Sequence, residues 1–366
     1  MRGTRVEIRP AALAHNARRA KALADGADVF AMVKANGYGH GLTVAAQAMA
    51  AEVDGFGVAV LEEARTLREH GIAAPILVAE GFFDRDELLE ARALSLEVVV
   101  HSPWQVGLLL DNPGPTRLWL KLNTGMNRLG LRPDIAVETA EQLAAAGMRA
   151  VGVMSHFACA DESADDRTET QMRRGGKVAD ALGLPLSAAN SAALIRYPFA
   201  RAQRVRPGII LYGSSPFDWQ SAAQLDLAVS HRFSARLIAI NEVRPGDAVG
   251  YGATWTAARP GRIGVVAAGY GDGYPRHAPS GTPAAVNGQP TVLVGRVSMD
   301  MLTIDLNGIE ADIGDEVELW GDEVDVDKVA RACGTISYEL FCQITGRPER
   351  TILGVGRQTS DVRPKD

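Results

Sequence analysis

The first two-thirds of the chain repeats one pattern eight times: a short β-rich apolar run followed by an amphipathic stretch. The runs are Val29–Val33, Asp54–Val58, Pro75–Ala79, Leu96–Val100, Arg117–Leu122, Arg149–Met154, Leu186–Ala189 and Val205–Leu211. Between them His40–Ala51, Leu61–His70, Asp84–Ala93, Pro133–Ala146 and Thr168–Leu182 read as helices. Ser102-Pro103 opens a further helix, and Gly71, Gly147 and Gly183 close three others. Strands that alternate with helices form a parallel sheet, because each helix carries the chain back to start the next strand in the same direction. Eight units in ~210 residues predict a closed (β/α)8 barrel of the TIM type, which usually takes ~250. Periodicity alone leaves an open doubly wound sheet as the rival.

The texture changes after Asp226. Short alternating runs follow at Phe233–Ile240, Ile263–Ala267, Thr291–Val294, Met301–Leu306 and Glu316–Trp320, punctuated by Gly, Pro and Asp. They predict a mainly β second domain with short helices at Val326–Cys333 and Tyr338–Ile344. The expected division is therefore an α/β barrel over residues 1–226 and a mainly β C-terminal domain over 227–366.

Composition excludes several classes. Of the 366 residues 46% are hydrophobic and 22% charged, too apolar for a disordered chain. The formal net charge of −6 argues against a nucleic-acid partner, which a basic face would attract. The longest apolar runs fall far short of the ~18 residues of a membrane span, and the N-terminal residues enter a strand-like segment without a secretory h-region. Three cysteines, Cys159, Cys333 and Cys342, contain no C-x-x-C pair and suit a reducing cytoplasm. The seven histidines are not at metal-site spacing, so no metal is expected.

A parallel barrel gathers its chemistry at the C-terminal strand ends. Lys34 to Gly41 follows the first run, Lys121 to Arg128 the fifth, Ser155-His156-Phe157 the sixth and Asn190-Ser191 the seventh, with Arg206-Pro207-Gly208-Ile209 at the eighth. Barrels often bind phosphate through the loops after strands seven and eight and a helix N-terminus. Ser191, the N–H groups of Gly208 and Ile209, and the Tyr38 hydroxyl suit that task. Ser191 also reads as a plain helix N-cap. Lys34 reads either as a snorkelling surface residue or as a buried amine of lowered pKa, suited to covalent attachment to a carbonyl carbon. The spacing of Gly37, Gly39 and Gly41 fails the G-x-G-x-x-G dinucleotide pattern, as does that of Gly269, Gly271 and Gly273. The acidic run Asp161–Asp166 reads as a solvated loop and helix start rather than a cation site.

These segments together resemble bacterial alanine racemases over essentially the whole chain. Ala31-Met32-Val33-Lys34-Ala35-Asn36-Gly37-Tyr38-Gly39-His40-Gly41 is similar to that family's cofactor-lysine motif. Further similar segments are Asn123 to Gly130, Ser155 to Ala158, Asn190 to Ala192, Val205 to Ile209, Gly250-Tyr251-Gly252, Gly269 to Gly273 and Val294 to Asp300. The resemblance implies a pyridoxal 5′-phosphate (PLP) barrel plus a β domain, assembled as a head-to-tail homodimer with shared active sites. It implies interconversion of L- and D-alanine, for peptidoglycan supply or alanine catabolism, by a two-base mechanism. On that reading Lys34 holds PLP and acts as base for the D-enantiomer, and Tyr251 serves the L-enantiomer. Arg206, with His156 beside it, faces the pyridine nitrogen. Tyr38, Ser191, Gly208 and Ile209 contact the phosphate. Arg128 and the Met299 N–H hold the substrate carboxylate, and Tyr270 and Arg276 line the entrance. Lys121 matches a lysine that is often carbamylated and then orients Arg128. Two positions depart: Asn123 stands where many members have Asp, and Gly346 where some place a phosphate-binding Tyr.

The chemistry needs these residue types. Inverting an α-carbon removes a proton from one face and returns one to the other, and two bases avoid the swing that one would require. Tyr251, with a reference pKa of ~10, needs a cation such as Arg206 or a charged His156 to favour its phenolate. Arg206 remains protonated, so it donates to the pyridine nitrogen without protonating it fully. Three rivals stand beside this reading. A non-catalytic PLP-binding barrel would lack the β domain with Tyr251 and Met299. A decarboxylase of similar build would place an acid at the pyridine nitrogen and a reactive Cys in the second domain. A racemase for serine, or of broader range, would share every motif.

Overall fold

The computed structural model describes residues 2–162 and 166–354, so residues 163–165 of the acidic run lie outside the described residues. The chain forms two compact units, Leu13–Ala228 and a second built from Met1–Ala12 with Val229–Asp366. The first twelve residues thus group with the C-terminal unit, and the division near 226 falls at 228. The first strand, β1 (Arg5–Ile8), joins the C-terminal unit because both of its edges are paired there. It runs antiparallel to β10 (His231–Val243) and parallel to β18 (Glu349–Ile352), burying Val6 and Ile8.

In the first unit eight parallel strands close a barrel: β2 (Asp28–Met32), β3 (Gly55–Val58), β4 (Ile76–Val78), β5 (Glu97–Val100), β6 (Arg117–Lys121), β7 (Ala150–Met154), β8 (Leu186–Ser187) and β9 (Arg204–Val205). The pairing β2–β9 closes the ring and excludes the open doubly wound sheet. Strands buried on both faces read as continuous apolar runs, and β3, β4 and β5 are buried throughout. Phe30, Leu77, Val99, Trp119 and Met154 pack as one core cluster. At the N-terminal strand ends Glu97 ties three strands together: Arg117 and Arg204 donate to its carboxylate, as does Trp119 Nε1.

The eighth expected strand, Val205–Leu211, shortens to the two residues of β9. Pro207 has no N–H to give a ladder, and Gly208 adopts φ −123°, ψ −87°, which turns the chain into a 3-10 helix at Ile209–Tyr212. The helix Pro10–Ala24, unread in the sequence, precedes the barrel.

The second unit is an eight-stranded sheet. Its long strand β10 pairs with β1, with β17 (Glu316–Trp320) and, beyond a register shift at Leu237, with β13 (Gly261–Val266). The hairpin of β14 (Pro283–Val286) and β15 (Gln289–Val292) extends it beside β17, and β16 (Leu302–Asp305) lies beside β13. A separate two-stranded ribbon, β11 (Ala248–Val249) with β12 (Trp255–Thr256), brackets Tyr251. Among the described residues no helix is long and apolar enough to cross a membrane.

Candidate active site

Strand β2 ends at a backbone the sequence did not announce. Ala35, Asn36, Gly37, Tyr38 and Gly39 follow Lys34 with φ of 53°, 54°, 61°, 50° and 78°, one left-handed turn. Left-handed backbone costs a non-glycine residue roughly 1–2 kcal/mol, so it needs local support. Asn36 Oδ1 accepts from Leu42 N at 2.9 Å, and the Glu63 carboxylate accepts from Ala35 N at 2.7 Å and Ala59 N at 2.8 Å. The turn leaves Lys34 exposed at the strand end, not buried as one sequence reading had it. It also folds Tyr38 inward. The Tyr38 ring stacks on Tyr212 at 4.5 Å, and Tyr212 Oη donates to Met32 O at 2.9 Å.

Tyr38, Ser191 and Gly208 meet at the ends of β8 and β9. The cap of helix Ser191–Arg196 is Asn190, which accepts from Ala193 N at 3.0 Å. Ser191 is therefore not the N-cap. Its Oγ instead accepts from Gly208 N at 2.9 Å. A methyl group at Gly208 would lie 2.4 Å from Tyr38 Oη, so only glycine allows the hydroxyl this close to the backbone. Ile209 opens the 3-10 helix directly behind, so two helix N-termini contribute to this corner.

Beside this cradle lies a group of cations. Burial, then Arg206, Arg128 and Lys34, presses the Lys121 amine well below an ordinary lysine. Burial, then Lys121, Arg206, Arg128 and Lys34, presses His156 well below an ordinary histidine. Burial and these cations favour the neutral His156 ring over the charged one that sequence reasoning allowed. Arg206 is buried, donates to Ser187 Oγ and reaches Ser155 O at 2.5 Å. Burial and neighbouring Arg204 draw it down to about 9, still protonated at neutral pH. The structure therefore brings Lys34, Lys121, Arg128, His156 and Arg206 within electrostatic reach of one another, an anion-seeking mouth.

Two polar devices lie behind the mouth, and the first of them, Gln171, escaped the sequence reading. Gln171 accepts from Ala158 N at 3.0 Å and donates to His156 O at 2.9 Å and Thr124 Oγ1 at 3.3 Å. It joins the loops after β6 and β7 from the helix Arg167–Leu182. Asn123 Oδ1 accepts from Gly125 N and Asn127 N while its Nδ2 donates to Asn127 Oδ1 at 3.0 Å. The Asn thus shapes the turn that carries Arg128, using an NH2 donor that an ionised Asp lacks.

In the second unit Tyr251 stands 69% exposed on a turn after Gly250. That turn packs on Arg296: a methyl group at Gly250 would lie 3.4 Å from Arg296 N. Three residues on, Met299 is exposed, and Tyr270 N donates to Ser298 O at 3.1 Å. The segment 295–300 is thus the shared partner of the Tyr251 and Tyr270 turns. Arg276 is exposed further along the second turn, and Gly346 is exposed with open space around it.

Comparison with known proteins matches this architecture along its length. The sequence model of the alanine racemase N-terminal domain matches residues 8–216, and that of the C-terminal domain residues 230–352. The chain belongs to the alanine racemase family. It is 73% identical over 353 residues to an alanine racemase of Alcanivorax borkumensis, covering 96% of this chain and 100% of that relative. An alanine racemase of Laribacter hongkongensis is 51% identical over 358 residues, 96% of this chain and 99% of the relative. The crystal structure of the biosynthetic alanine racemase from Pseudomonas aeruginosa superposes with a TM-score of 0.93 at 44% identity, covering 96% of this chain and 99% of that one. Membership in the alanine racemase family fits a barrel whose strand ends carry cations and whose β unit carries an exposed tyrosine.

Proposed function

We propose that this chain interconverts L- and D-alanine with PLP, Lys34 and Tyr251 serving as the two bases. The observation that carries the reading is one strand-end corner where an exposed lysine, a Tyr38–Ser191–Gly208 cradle and the buried Arg206 lie together. The cradle suits a phosphate, because the Tyr38 and Ser191 hydroxyls and the Gly208 backbone converge on space that a Cβ at Gly208 would fill. Lys34 would hold the cofactor covalently, Tyr38, Ser191, Gly208 and Ile209 its phosphate, and Arg206 its pyridine nitrogen. When bound, PLP supplies an electron sink for the α-carbon.

The remaining work belongs to the side chains. Arg206 stays protonated at neutral pH, so it would hold the ring nitrogen as a donor without giving up its proton. The Lys34 amine moves the proton of one α-carbon face, and Tyr251 Oη that of the other. Arg128 and the Met299 N–H hold the substrate carboxylate, and Tyr270 and Arg276 line the approach to it. Because burial and neighbouring cations disfavour its ammonium form, the Lys121 amine could add to carbon dioxide, its N–H proton passing to solvent and leaving a carbamate anion among the cations. The two bases come from different subunits of a homodimer, and three cysteines without a C-x-x-C pair suit a cytoplasmic setting.

The test uses the purified holoenzyme. Borohydride reduction should fix the cofactor on Lys34, and chiral chromatography should show L-alanine forming from D-alanine faster than the serine enantiomers interconvert. Tyr251→Ala should still exchange the α-proton of D-alanine for solvent deuterium with little inversion. A label on another lysine, or equal exchange from both enantiomers, would refute the two-base assignment.

A further inference from the structure

We infer that Arg2, clamped by the buried Asp272, is a positioning residue that aims the Met299 N–H at the substrate carboxylate. The inference rests on the carboxylate reading of Met299 given above and adds the device that sets its direction.

Three consecutive carbonyls run through this segment, and each is held. Ser298 O accepts from Tyr270 N at 3.1 Å, Met299 O from Gly271 N at 2.9 Å, and Asp300 O from Arg2 Nη2 at 2.6 Å. A trans peptide points its N–H opposite to its C=O. Fixing Ser298 O toward the Tyr270 turn therefore turns the Met299 N–H away from that turn. The fit has no slack, since a methyl group at Gly269 would lie 2.3 Å from Ser298 O and 2.4 Å from Met299 O.

The turn is itself anchored through Asp272, a carboxylate with 0% exposure. A buried charge needs partners. Arg2 supplies a fork, Nη1 to Oδ1 and Nη2 to Oδ2, both at 2.8 Å, and Gly269 N donates to Oδ2 at 2.9 Å. Arg347 Nε stands 3.6 Å from Oδ1, and its Nη2 donates to Asp300 Oδ1 at 2.7 Å. Both guanidinium groups thus bridge the turn at 272 to residue 300. Arg2 is the one of the two that forks onto Asp272 and also holds a backbone carbonyl beside Met299. Its removal would leave Asp272 without its bidentate partner and free Asp300 O, loosening the peptide that presents Met299 N–H.

The experiment compares wild type with Arg2→Ala and Arg2→Lys as PLP-loaded enzymes. Propionate, which is alanine without its amine, reads the carboxylate site apart from the chemistry. Arg2→Ala should raise the propionate Ki and the alanine KM about tenfold, the loss of one hydrogen bond to a charged group, with kcat changed far less. Arg2→Lys should recover part of the loss, keeping the charge without the fork. Unchanged Ki and KM with a lowered Tm would overturn the role and leave Arg2 merely structural. Should Arg2→Ala not fold, Arg2→Lys carries the test alone: it keeps the charge but loses the fork, and a Ki and KM equal to wild type there would overturn the inference. Failure of propionate to compete in the wild type is a different result: it would overturn the carboxylate reading of Met299, and Arg2's role with it.

Discussion

Replacing Glu97 by Gln should separate the stability of the barrel from its chemistry. Glu97 is 1% exposed and accepts from Arg117 Nη2 at 2.8 Å, Trp119 Nε1 at 2.7 Å and Arg204 Nη1 at 2.5 Å. The Arg204 guanidinium lies 3.6 Å over the Phe30 ring, with Asp28 as a second carboxylate only at 3.8 Å. A Gln amide would turn an NH2 group toward one of these donors and leave Arg204 buried without its main counter-charge. Breaking a buried pair from one side costs about 3–5 kcal/mol, and the remaining Asp28 contact places this case near about 3. At about 2–4 °C per kcal/mol for a unit of this size, Tm should fall by roughly 6–12 °C. Burial pushes the Glu97 carboxyl up, but the charge of Arg204 and the hydrogen bonds from Arg204, Arg117 and Trp119 outweigh it and hold the group below its ordinary value. Its stabilisation is therefore complete above about pH 4.5 and is lost as pH falls through the lower folded value. Glu97→Gln should lack that acid-side loss. All of this sits at the N-terminal strand ends, so kcat at 25 °C should stay within about twofold. Calorimetry from pH 3 to 7 beside steady-state racemisation makes the check. A Tm shift under about 3 °C, or lost kcat without a Tm shift, would refute the reasoning.

Gly208→Ala puts a methyl group 2.4 Å from Tyr38 Oη, and overpacking of about 1–3 kcal/mol should weaken PLP retention roughly 5- to 150-fold, read by equilibrium dialysis. His156 should titrate below an ordinary histidine and show a neutral ring at pH 7 in carbon-13 NMR of labelled histidine. Because its folded pKa is depressed, the stability it contributes is present above about pH 6.5 and lost as pH falls toward the folded value, a slope that His156→Gln should remove. Gln171→Ala strands Ala158 N and His156 O and should cost about 2–3 kcal/mol, seen as a lower denaturant midpoint with a raised KM.

Much of the barrel was legible because buried parallel strands are continuous apolar runs, and the helices between them carry their own period and stops. The strand-end rule also picked Lys34, Lys121, His156, Ser191 and Arg206 before any geometry was known. What escaped depends on partners distant in sequence. Strand β18 is an unremarkable Glu-Arg-Thr-Ile, a strand only because β1 offers it an edge across more than 300 residues. Strand β14 reads as Pro-Ala-Ala-Val, too small to signal by itself. Arg2, Gln171 and Asp272 carry no local mark of their roles either. A polar residue reads as solvated until its burial is known, and only a tight approach such as that of Gly269 to Ser298 O shows why Asp272 must sit inside. The left-handed turn that follows Lys34 was equally hidden, since its five residues include only two glycines.

The pairing of β1 with β10 and β18 makes the barrel an insertion within the other unit. The chain lays down a strand, spends residues 13–228 on a different object, and returns to complete the sheet it began. A ribosome therefore releases an orphan edge first, and that edge must wait while some two hundred residues fold before its neighbours exist. Cutting between residues 228 and 229 does not yield two whole domains: the shorter fragment lacks a strand with both edges paired. Permuting the termini so that residues 1–12 follow residue 354 would make each unit continuous, and would convert the longest-range pairing in the molecule into one of its shortest.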